Sequence, residues 1–170
     1  MKIYKLHSIQ KLPISLEEAW KFLTNPHNLE KLTPPEMNFK VYDGADKSMY
    51  EGQLLQYTVT PLPGFKTKWI SEITVFKEKE YFIDEQRFGP YAFWHHKHFI
   101  TEIPGGVSME DRVDYKLPFG FLGNLVHPFL VKPKLDSIFE FRQKQLLKTF
   151  GVYNEPNSDL IGITKNDILN

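Results

Sequence analysis

The 170-residue chain contains no cysteine. This absence excludes disulfides, thiolate catalysis and cysteine-ligated metals, and it makes the cytoplasm the expected compartment. No apolar run approaches the length of a membrane span, and the N-terminal stretch Met1–Tyr4 lacks the apolar block of a signal peptide. We therefore expect a cytoplasmic protein without stable membrane insertion.

The chain also lacks an excess of charge, because 21 basic residues balance 21 acidic ones. A nucleic-acid-binding protein normally carries a basic surface, so we expect no nucleic-acid partner. Hydrophobic residues make up 41% of the sequence and aromatic residues 15%, which is enough to build a core. Aromatic side chains also line ligand cavities, so their abundance leaves both uses open.

The N-terminal quarter predicts a strand followed by two short helices. Ile3–Leu12 is a candidate strand that ends before Pro13. Ser15 and Glu18 have the spacing of a capping box, and apolar residues then recur at helical spacing as far as Leu23. A second short helix over Leu29–Leu32 precedes the pair Pro34-Pro35, which ends it.

From Met37 the apolar period changes to two, which predicts antiparallel strands joined by short turns. The predicted strands are Asn38–Tyr42, Glu51–Thr60, Thr67–Lys77, Tyr81–Phe88, Ala92–Ile103 and Val107–Leu117. Pro118–Pro133 is apolar and irregular, and Lys134–Phe150 returns to a helical period. Its apolar stripe consists of Leu135, Ile138, Phe139, Arg142 and Leu146.

This order of elements predicts an α+β fold, in which a curved antiparallel sheet of about seven strands wraps around a long C-terminal helix. The sheet has one apolar face and the helix one apolar stripe, so each buries its face against the other. We expect one domain over residues 1–151 and a polar tail over residues 152–170.

The strand Val107–Leu117 identifies the buried face of the sheet. Its charged row alternates with a second row that contains a single carboxylate, Asp111. The charged row consists of Glu110, Arg112, Asp114 and Lys116, and four such residues in register indicate the solvent face. Asp111 therefore points inward with Met109, Val113 and Tyr115, where an unpaired carboxylate would be costly.

A two-residue turn at Gly105-Gly106 fixes an expected register with the preceding strand. The turn places His98 opposite Val113 and diagonal to Asp111, and it places His96 opposite Tyr115. On the outer face it places Lys97 opposite Asp114. Trp94, His96 and His98 then face inward together. If Phe82 faces inward as well, Asp84 and Gln86 join this polar cluster.

These residues carry a resemblance to a known superfamily. The pattern includes Phe82-x-Asp84-x-Gln86, Gly89-Pro90-Tyr91, Trp94-x-His96-x-His98, and Asp111-x-Val113-x-Tyr115-x-x-Pro118-Phe119-Gly120. It resembles the helix-grip, START-like and pollen-allergen-like superfamily called SRPBCC, over about Ile3 to Phe150. It is similar to a bacterial stand-alone subfamily whose members are labelled "cell division inhibitor" or "CDP-paratose epimerase". Since the chain has no G-x-G-x-x-G motif, it supports no epimerase active site.

The resemblance implies a deep cavity between the sheet and the long helix for a small apolar or amphipathic ligand. We therefore expect a binding or carrier protein, with a cavity enzyme of the cyclase, dehydratase or hydrolase type as the alternative. The expected ligand-binding residues are Trp69, Asp84, Gln86, Trp94, His96, His98, Asp111, Tyr115 and Arg142. If the protein is an enzyme, the catalytic candidates are His96, His98 and Asp111.

Several residues have two open interpretations. His96 and His98 could hold Zn²⁺ with Asp111 or Asp84, or they could form a buried hydrogen-bond network; we expect the network, with no metal and no cofactor. Arg142 could bind a ligand carboxylate or pair with a buried Asp. The segment Phe119–Leu130 could gate the cavity, pack as a loop, or expose a surface for a partner.

Overall fold

Antiparallel strand pairing organises the computed structural model, which describes residues 2–45, 48–62 and 64–155. The seven strands form one sheet in the order β1-β7-β6-β5-β4-β3-β2. They are β1 (Tyr4–Leu12), β2 (Lys40–Asp43), β3 (Leu54–Leu62), β4 (Phe65–Lys77), β5 (Tyr81–Phe88), β6 (Phe93–Ile103) and β7 (Gly106–Lys116). The helices are α1 (Leu16–Leu23), α2 (Asn28–Lys31), a 3₁₀ turn (Pro35–Met37), α3 (Gly120–Val126), a π-helical turn (His127–Val131) and α4 (Lys132–Phe150). The predicted α+β class, with two short helices after the first strand, is confirmed.

Helix α1 forms because its first turn is capped and one of its faces is apolar. The Ser15 hydroxyl accepts a hydrogen bond from the Glu18 backbone N–H at 3.2 Å, as the capping-box spacing predicts. Its buried face includes Trp20, whose ring centroid lies 5.3 Å from that of Phe76 and 6.1 Å from that of Phe82. The helix therefore closes one part of the concave side of the sheet.

The β6–β7 hairpin corrects the predicted turn. Ile103 pairs with Gly106, so the two-residue loop is Pro104-Gly105 and not Gly105-Gly106. Gly105 has φ 76°, the left-handed conformation that the third position of a Pro-Gly type II turn requires. Gly106 belongs to the strand, where a Cβ atom would lie 2.1 Å from the Leu12 carbonyl oxygen.

The corrected turn moves every β6–β7 pair by two residues along β7. His98 lies directly opposite Asp111, and His96 lies opposite Val113, so the predicted pairings with Val113 and Tyr115 are wrong. A two-residue shift preserves the face of each side chain, because strand side chains alternate with a period of two. Lys97 stands opposite Arg112 but still reaches Asp114, with 3.5 Å between Nζ and Oδ2.

The inner and outer faces of β7 are as the charged row predicts. Met109, Asp111, Val113 and Tyr115 are buried, whereas none of the four residues of the charged row is. The charged row of β7 therefore lies on the outer face of the sheet, and the opposite, concave face contributes to the core and is available for a ligand site.

The C-terminal helical region is longer than the sequence predicts. Residues 118–133 were expected to be irregular because of their prolines, but helical backbone starts at Gly120 and continues to Phe150. Pro128 lies at the start of the π turn and Pro133 at the start of α4, where a missing backbone N–H removes few intrahelical bonds. The change to a wider π turn thus lets the helix continue through both prolines.

Helix α4 lies against the concave face of the sheet along the predicted stripe. Leu135, Phe139, Arg142 and Leu146 are buried. A pair of hydrogen bonds also ties the helix to β1, because Gln143 Nε2 donates to Ser8 Oγ at 3.0 Å and Gln10 Nε2 donates to the Gln143 carbonyl at 3.0 Å. None of the helices in residues 2–45, 48–62 and 64–155 combines the length and hydropathy of a membrane span.

Candidate functional site

A cavity of about 200 Å³ lies between the sheet and α4. Most of its wall is apolar or aromatic, as is usual for small-molecule sites. The aromatic lining residues are Phe22, Phe39, Tyr57, Trp69, Phe82, Tyr91, Trp94 and Phe139. The wall also contains one connected group of polar side chains, formed by Ser71, Asp84, His96, His98 and Arg142.

Two imidazoles and two carboxylates form the centre of this polar group. Because β5, β6 and β7 are neighbours in the sheet, Asp84 and Asp111 lie on opposite sides of the two histidines. The rings of His96 and His98 have centroids 3.7 Å apart. Asp84 Oδ2 lies 2.8 Å from His98 Nε2 and 3.5 Å from His96 Nδ1. Asp111 Oδ1 lies 2.8 Å from His98 Nδ1 and 3.1 Å from His96 Nε2.

The two carboxylates hold their negative charge in this buried position. Burial alone would raise the pKa of Asp84, but the hydrogen bond from His98 and the proximity of the two imidazoles keep it below its usual value. Burial also acts to raise the pKa of Asp111, and there the guanidinium of Arg142 and the two imidazoles outweigh it. The pKa of Asp111 is therefore held well below its usual range.

The two histidines are driven in opposite directions. Burial lowers the pKa of His96, and the charge on His98 lowers it further than its carboxylate contacts can offset. Burial also opposes charge on His98, but its contacts with Asp111 and Asp84 outweigh burial and raise its pKa. A proton shared by the pair is therefore held by His98 rather than by His96.

This assignment balances the charge of the cluster. Two carboxylates, one imidazolium and the guanidinium of Arg142 sum to zero. His98 Nε2–H donates to Asp84, while its Nδ1–H is close to Asp111 without pointing at the oxygen, so that contact is mainly ionic. His96 Nε2 lies 3.1 Å from Asp111 Oδ1, and a neutral His96 that donates there has no proton on Nδ1.

A chain of hydroxyl groups connects the cluster to the aromatic wall. Ser71 Oγ accepts from Trp69 Nε1 at 3.1 Å and lies 2.7 Å from the Tyr57 hydroxyl. It also lies 3.4 Å from Asp84 Oδ1. Since a serine hydroxyl has one proton, both aromatic groups donate to Ser71 and Ser71 donates to Asp84.

Arg142 enters the cluster from α4. Its Nη2 lies 3.4 Å from Asp111 Oδ1, a longer contact than those of the histidines. The side chain lines the cavity, and the residue is only 9% exposed. Its Nε has no hydrogen-bond partner among the described residues. Arg142 therefore pairs with a buried Asp, and it also retains a donor that its protein neighbours do not use.

Comparison with solved structures places this geometry in a known fold. A START superfamily protein from Mycobacterium smegmatis matches 85% of this chain and 98% of its own, with a TM-score of 0.62 and 10% identity. Norcoclaurine synthase from Thalictrum, solved as a point mutant with a transition-state analogue, matches 87% of this chain and 96% of its own, with a TM-score of 0.61 and 13% identity. Ara h 8.0201 matches 86% of this chain and 99% of its own, with a TM-score of 0.56 and 16% identity.

The chain has the START-like helix-grip fold. No protein-family model and no curated protein sequence matches it. The resemblance noted in the sequence is thereby confirmed at the level of the fold. At these identities the likeness is one of fold alone, and the bacterial subfamily suggested by the sequence stays a prediction.

Within this helix-grip domain, three residues are arranged so that they could hold a metal ion. One ligand atom each from Asp84, His96 and His98 lies within 4.8 Å of the others. Imidazole nitrogens and a carboxylate oxygen are ligands that Zn²⁺ accepts. A metal would have to displace the proton that His98 shares with Asp84, so the site fits a proton better than a dication unless both histidines become neutral.

The structure separates the predicted ligand-binding residues into two groups. Trp69, Asp84, Trp94, His96, His98 and Arg142 line the cavity. Asp111 lies behind the histidines, where it positions them. Tyr115 is buried but does not belong to the cavity lining, and its hydroxyl lies 2.8 Å from His127 Nε2.

Gln86 does not join the polar cluster, contrary to the prediction. Its amide donates to the Tyr91 carbonyl at 2.7 Å and accepts from the Tyr91 N–H at 3.2 Å. It therefore fixes the turn at Gly89-Pro90. Gln86 stands opposite Ser71 in the β4–β5 pairing, next to a register shift between Ile70 and Ser71, and strand alternation alone could not reveal that its side chain bonds Tyr91.

Sequence reasoning missed three residues near the site. Tyr57 and Tyr91 line the cavity, and Tyr57 lies on a strand where aromatic residues are common and carry no specific signal. His127 falls in a segment that was expected to be irregular. Its burial follows only from the helical path of that segment, which packs the His127 ring on Tyr4 with centroids 3.5 Å apart.

Proposed function

We propose that this protein binds a small amphipathic molecule in the cavity between the sheet and α4. The apolar body of the ligand contacts the aromatic wall, and an oxygen acceptor at one end of it meets Arg142 and the histidine cluster. Two features support this: a mostly apolar cavity of about 200 Å³ and a connected group of polar side chains in its wall. The START-like fold is consistent with it.

One observation carries the polar part of the proposal. Arg142 lines the cavity, and its Nε is buried without a hydrogen-bond partner among the described residues. A buried donor left unsatisfied costs on the order of 1–3 kcal/mol, so a ligand that supplies an acceptor gains that interaction. Since guanidinium groups bind carboxylates strongly, the favoured ligand end is a carboxylate, with a carbonyl or hydroxyl oxygen as a weaker substitute.

The first experiment identifies what the cavity holds. Protein purified from its own host is examined by native mass spectrometry for a co-purified small molecule. The proposal expects a compound with an apolar body and an oxygen-bearing end. Recovery of ligand-free protein that also fails to bind any apolar probe would argue against a binding function.

The second experiment tests Arg142 directly. The fluorescent probe 1-anilinonaphthalene-8-sulfonate is bound and then displaced by decanoate or by decanol. We expect Arg142→Met to weaken the binding of decanoate at least tenfold relative to the binding of decanol. Arg112→Met, on the outer face, should change the binding of neither ligand. Equal affinities of the Arg142→Met variant and the unaltered protein for decanoate would contradict the assigned polar end.

A cavity enzyme is the second candidate function. The observation that favours it is the position of His96 on the cavity wall, where its lowered pKa favours the neutral imidazole and its Nδ1 lies 3.5 Å from Asp84 Oδ2. A neutral imidazole with an oriented ring can act as a general base, with Asp111 positioning it and His98 supplying a proton. No nucleophile is assigned. To test this, the recovered compound is incubated with the unaltered protein and with the His96→Gln variant, and its mass is followed. A compound whose mass is unchanged argues for binding alone.

The remaining expectations concern the partner, the compartment and the division of the chain into a domain and a tail. The predicted partner is a small molecule and not a nucleic acid, and the cytoplasm stays the predicted compartment. The division into a domain over residues 1–151 and a tail over residues 152–170 stays a prediction. Residues 156–170 of that tail lie outside the described residues.

A further inference from the structure

An uninterrupted apolar surface covers the segment that leads into α4. Phe119, Phe121 and Phe129 are 83%, 77% and 81% exposed. Four more large apolar residues in the same segment, Leu122, Leu125, Val126 and Leu130, are also exposed. We call these seven residues the 119–130 surface. Exposed apolar side chains scattered one by one are ordinary, but a cluster of this size marks an interaction site.

The segment is held in place with its apolar side outward. Its inward residues are Gly123 and His127, one helical turn apart. The His127 ring lies on Tyr4 with centroids 3.5 Å apart and bonds the Tyr115 hydroxyl, and the Tyr4 hydroxyl donates to Asn124 Oδ1 at 3.1 Å. A Cβ at Gly123 would lie 2.2 Å from the Pro118 carbonyl oxygen, so glycine permits this close approach. The outward apolar face is therefore built into the attachment of the segment.

Positive charge surrounds this surface. The stretch 117–131 contains no Asp, Glu, Lys or Arg, and Lys116, Lys132 and Lys134 flank it. Lys2 Nζ lies 4.7 Å from the centroid of the Tyr4 ring, and Tyr4 is the residue of β1 that contacts the segment. Lys132 pairs with Asp136 and Lys134 with Glu36. The pair of Lys132 is largely solvent-exposed, so this lysine can exchange partners at small cost, whereas the Lys134 side chain is 27% exposed.

We propose that the 119–130 surface docks onto an anionic lipid bilayer. An amphipathic helix with aromatic and aliphatic residues on one side and lysines at its edges lies in the interface plane of such a membrane. Twelve helical residues reach about 18 Å, whereas a span needs about 20 residues, so the contact is peripheral. The lysines reach the headgroups while the phenylalanines and leucines enter the acyl boundary.

The C-terminal tail is a competing occupant, which the test below separates from a bilayer. The described chain ends at Glu155, which pairs with Lys11 on β1. Tyr4, which contacts the segment, is seven residues away on the same strand, or about 23 Å at ~3.3 Å per residue, a distance that the rest of the chain is long enough to span. A second copy of the chain would have to bring two lysine-rimmed surfaces together, which places like charges opposite each other.

The proposal is independent of the ligand, but the positions are related. Lys134 and Leu135, just beyond the segment, line the cavity. A docked 119–130 surface would therefore place the cavity wall beside the bilayer.

The test is flotation of the full chain with vesicles of phosphatidylcholine and phosphatidylglycerol at 3:1, and with phosphatidylcholine alone. We expect binding to the anionic vesicles that falls as salt is raised, and at least tenfold less binding to phosphatidylcholine. Phe121→Ser/Phe129→Ser should lower the bound fraction at least tenfold without lowering the melting temperature. The matched control Ile9→Ser/Val152→Ser changes exposed apolar residues at other places and should bind normally.

Three results would overturn the proposal. The first is no binding of the full chain to anionic vesicles. The second is equal binding by Phe121→Ser/Phe129→Ser, which would assign any binding to charge alone. The third is a dimer in light scattering that this double variant dissociates while vesicle binding is absent, which would make a second copy the occupant. The first result, if a chain ending at residue 155 binds vesicles, would make the tail the occupant.

Discussion

The imidazole rings of His96 and His98 lie with centroids 3.7 Å apart, and each ring contacts both Asp84 and Asp111. Two buried imidazoles this close cannot both be charged without strong repulsion, so the four groups share protons as a unit. The lowered pKa of His96 and the raised pKa of His98 express this sharing. The cluster therefore places an imidazole that gives up its proton readily beside one that holds its proton more strongly.

Asp111→Asn should lower the pKa of His98. Asparagine retains the shape of the aspartate side chain, but the carboxylate that helps to hold the His98 proton is lost, and Arg142 loses its counter-ion. We expect the free energy of unfolding to fall by about 1–3 kcal/mol, as for an unsatisfied buried group. NMR titration of the histidine ring protons and urea unfolding measure the two effects. Asp114→Asn, on the outer face, is the control, and an unchanged His98 pKa in Asp111→Asn would refute the arrangement.

The stability of the protein should depend on pH in a direction set by this cluster. Because the folded pKa of His98 is raised above 6.5, its stabilising contribution is present below pH 6.5 and is lost as pH rises through the folded pKa. His96 has a lowered pKa, so it favours unfolding as pH falls below 6.5. Asp84 and Asp111 have lowered pKa values, so their contribution is present above about pH 3.8 and is lost as pH falls through their folded values.

His98→Gln should remove the alkaline part of this dependence. Urea unfolding of the unaltered protein and of His98→Gln between pH 4 and pH 9 gives the comparison. The unaltered protein should lose stability above pH 6.5 relative to the variant, because only the unaltered protein gives up the His98 proton in that range. Parallel curves for the two proteins would show that His98 does not hold the raised pKa.

Ser71→Ala should destabilise the fold by about 1–3 kcal/mol, because two donors lose their acceptor. The Tyr57 hydroxyl and Trp69 Nε1 both depend on Ser71 Oγ, which is buried. Burial already raises the pKa of Tyr57 well above its usual value, so the tyrosine cannot relieve the loss by ionising. Chemical unfolding measures the change. Ser137→Ala, whose hydroxyl bonds an exposed turn of α4, should change stability little.

Arg142→Met should cost more stability than Arg112→Met. Arg142 is buried against Asp111, whereas Arg112 pairs with Glu110 at the surface. Removing one partner of a buried ion pair typically costs about 3–5 kcal/mol, and the histidine contacts to Asp111 place this case at the lower end. Surface pairs contribute about 0–1 kcal/mol. Thermal and urea unfolding of the two variants compare the costs, and equal losses would show that Asp111 does not need the guanidinium.

Arg142→Lys separates charge from shape at the same position. A lysine keeps the positive charge but loses the planar group and its Nε donor. We expect it to restore part of the stability that Arg142→Met loses, while decanoate binding stays weakened. Full recovery of decanoate binding would show that the side chain at position 142 recognises the carboxylate of the ligand by charge alone.

The register of the hairpin illustrates what strand periodicity can supply. The predicted turn was wrong by one residue and the pairing by two, yet Asp111, His96 and His98 were correctly assigned to one face. The face survives because side chains alternate with a period of two, whereas the partner of each residue depends on which residues form the turn. Local sequence favours several glycine turns almost equally, so only the contacts of Gly106 with β1 select between them.

By itself, the sequence determined the order of strands and helices, the inward face of β7 and the apolar stripe of α4, because these follow from periods of two and 3.6 along the chain. Only the tertiary structure decided that Asp84 and Asp111 enclose the histidines, that Gln86 turns away to Tyr91, and that the helix continues through Pro128 and Pro133. Those outcomes depend on strand register and on contacts between residues far apart in the chain. A local pattern contains no information about such contacts.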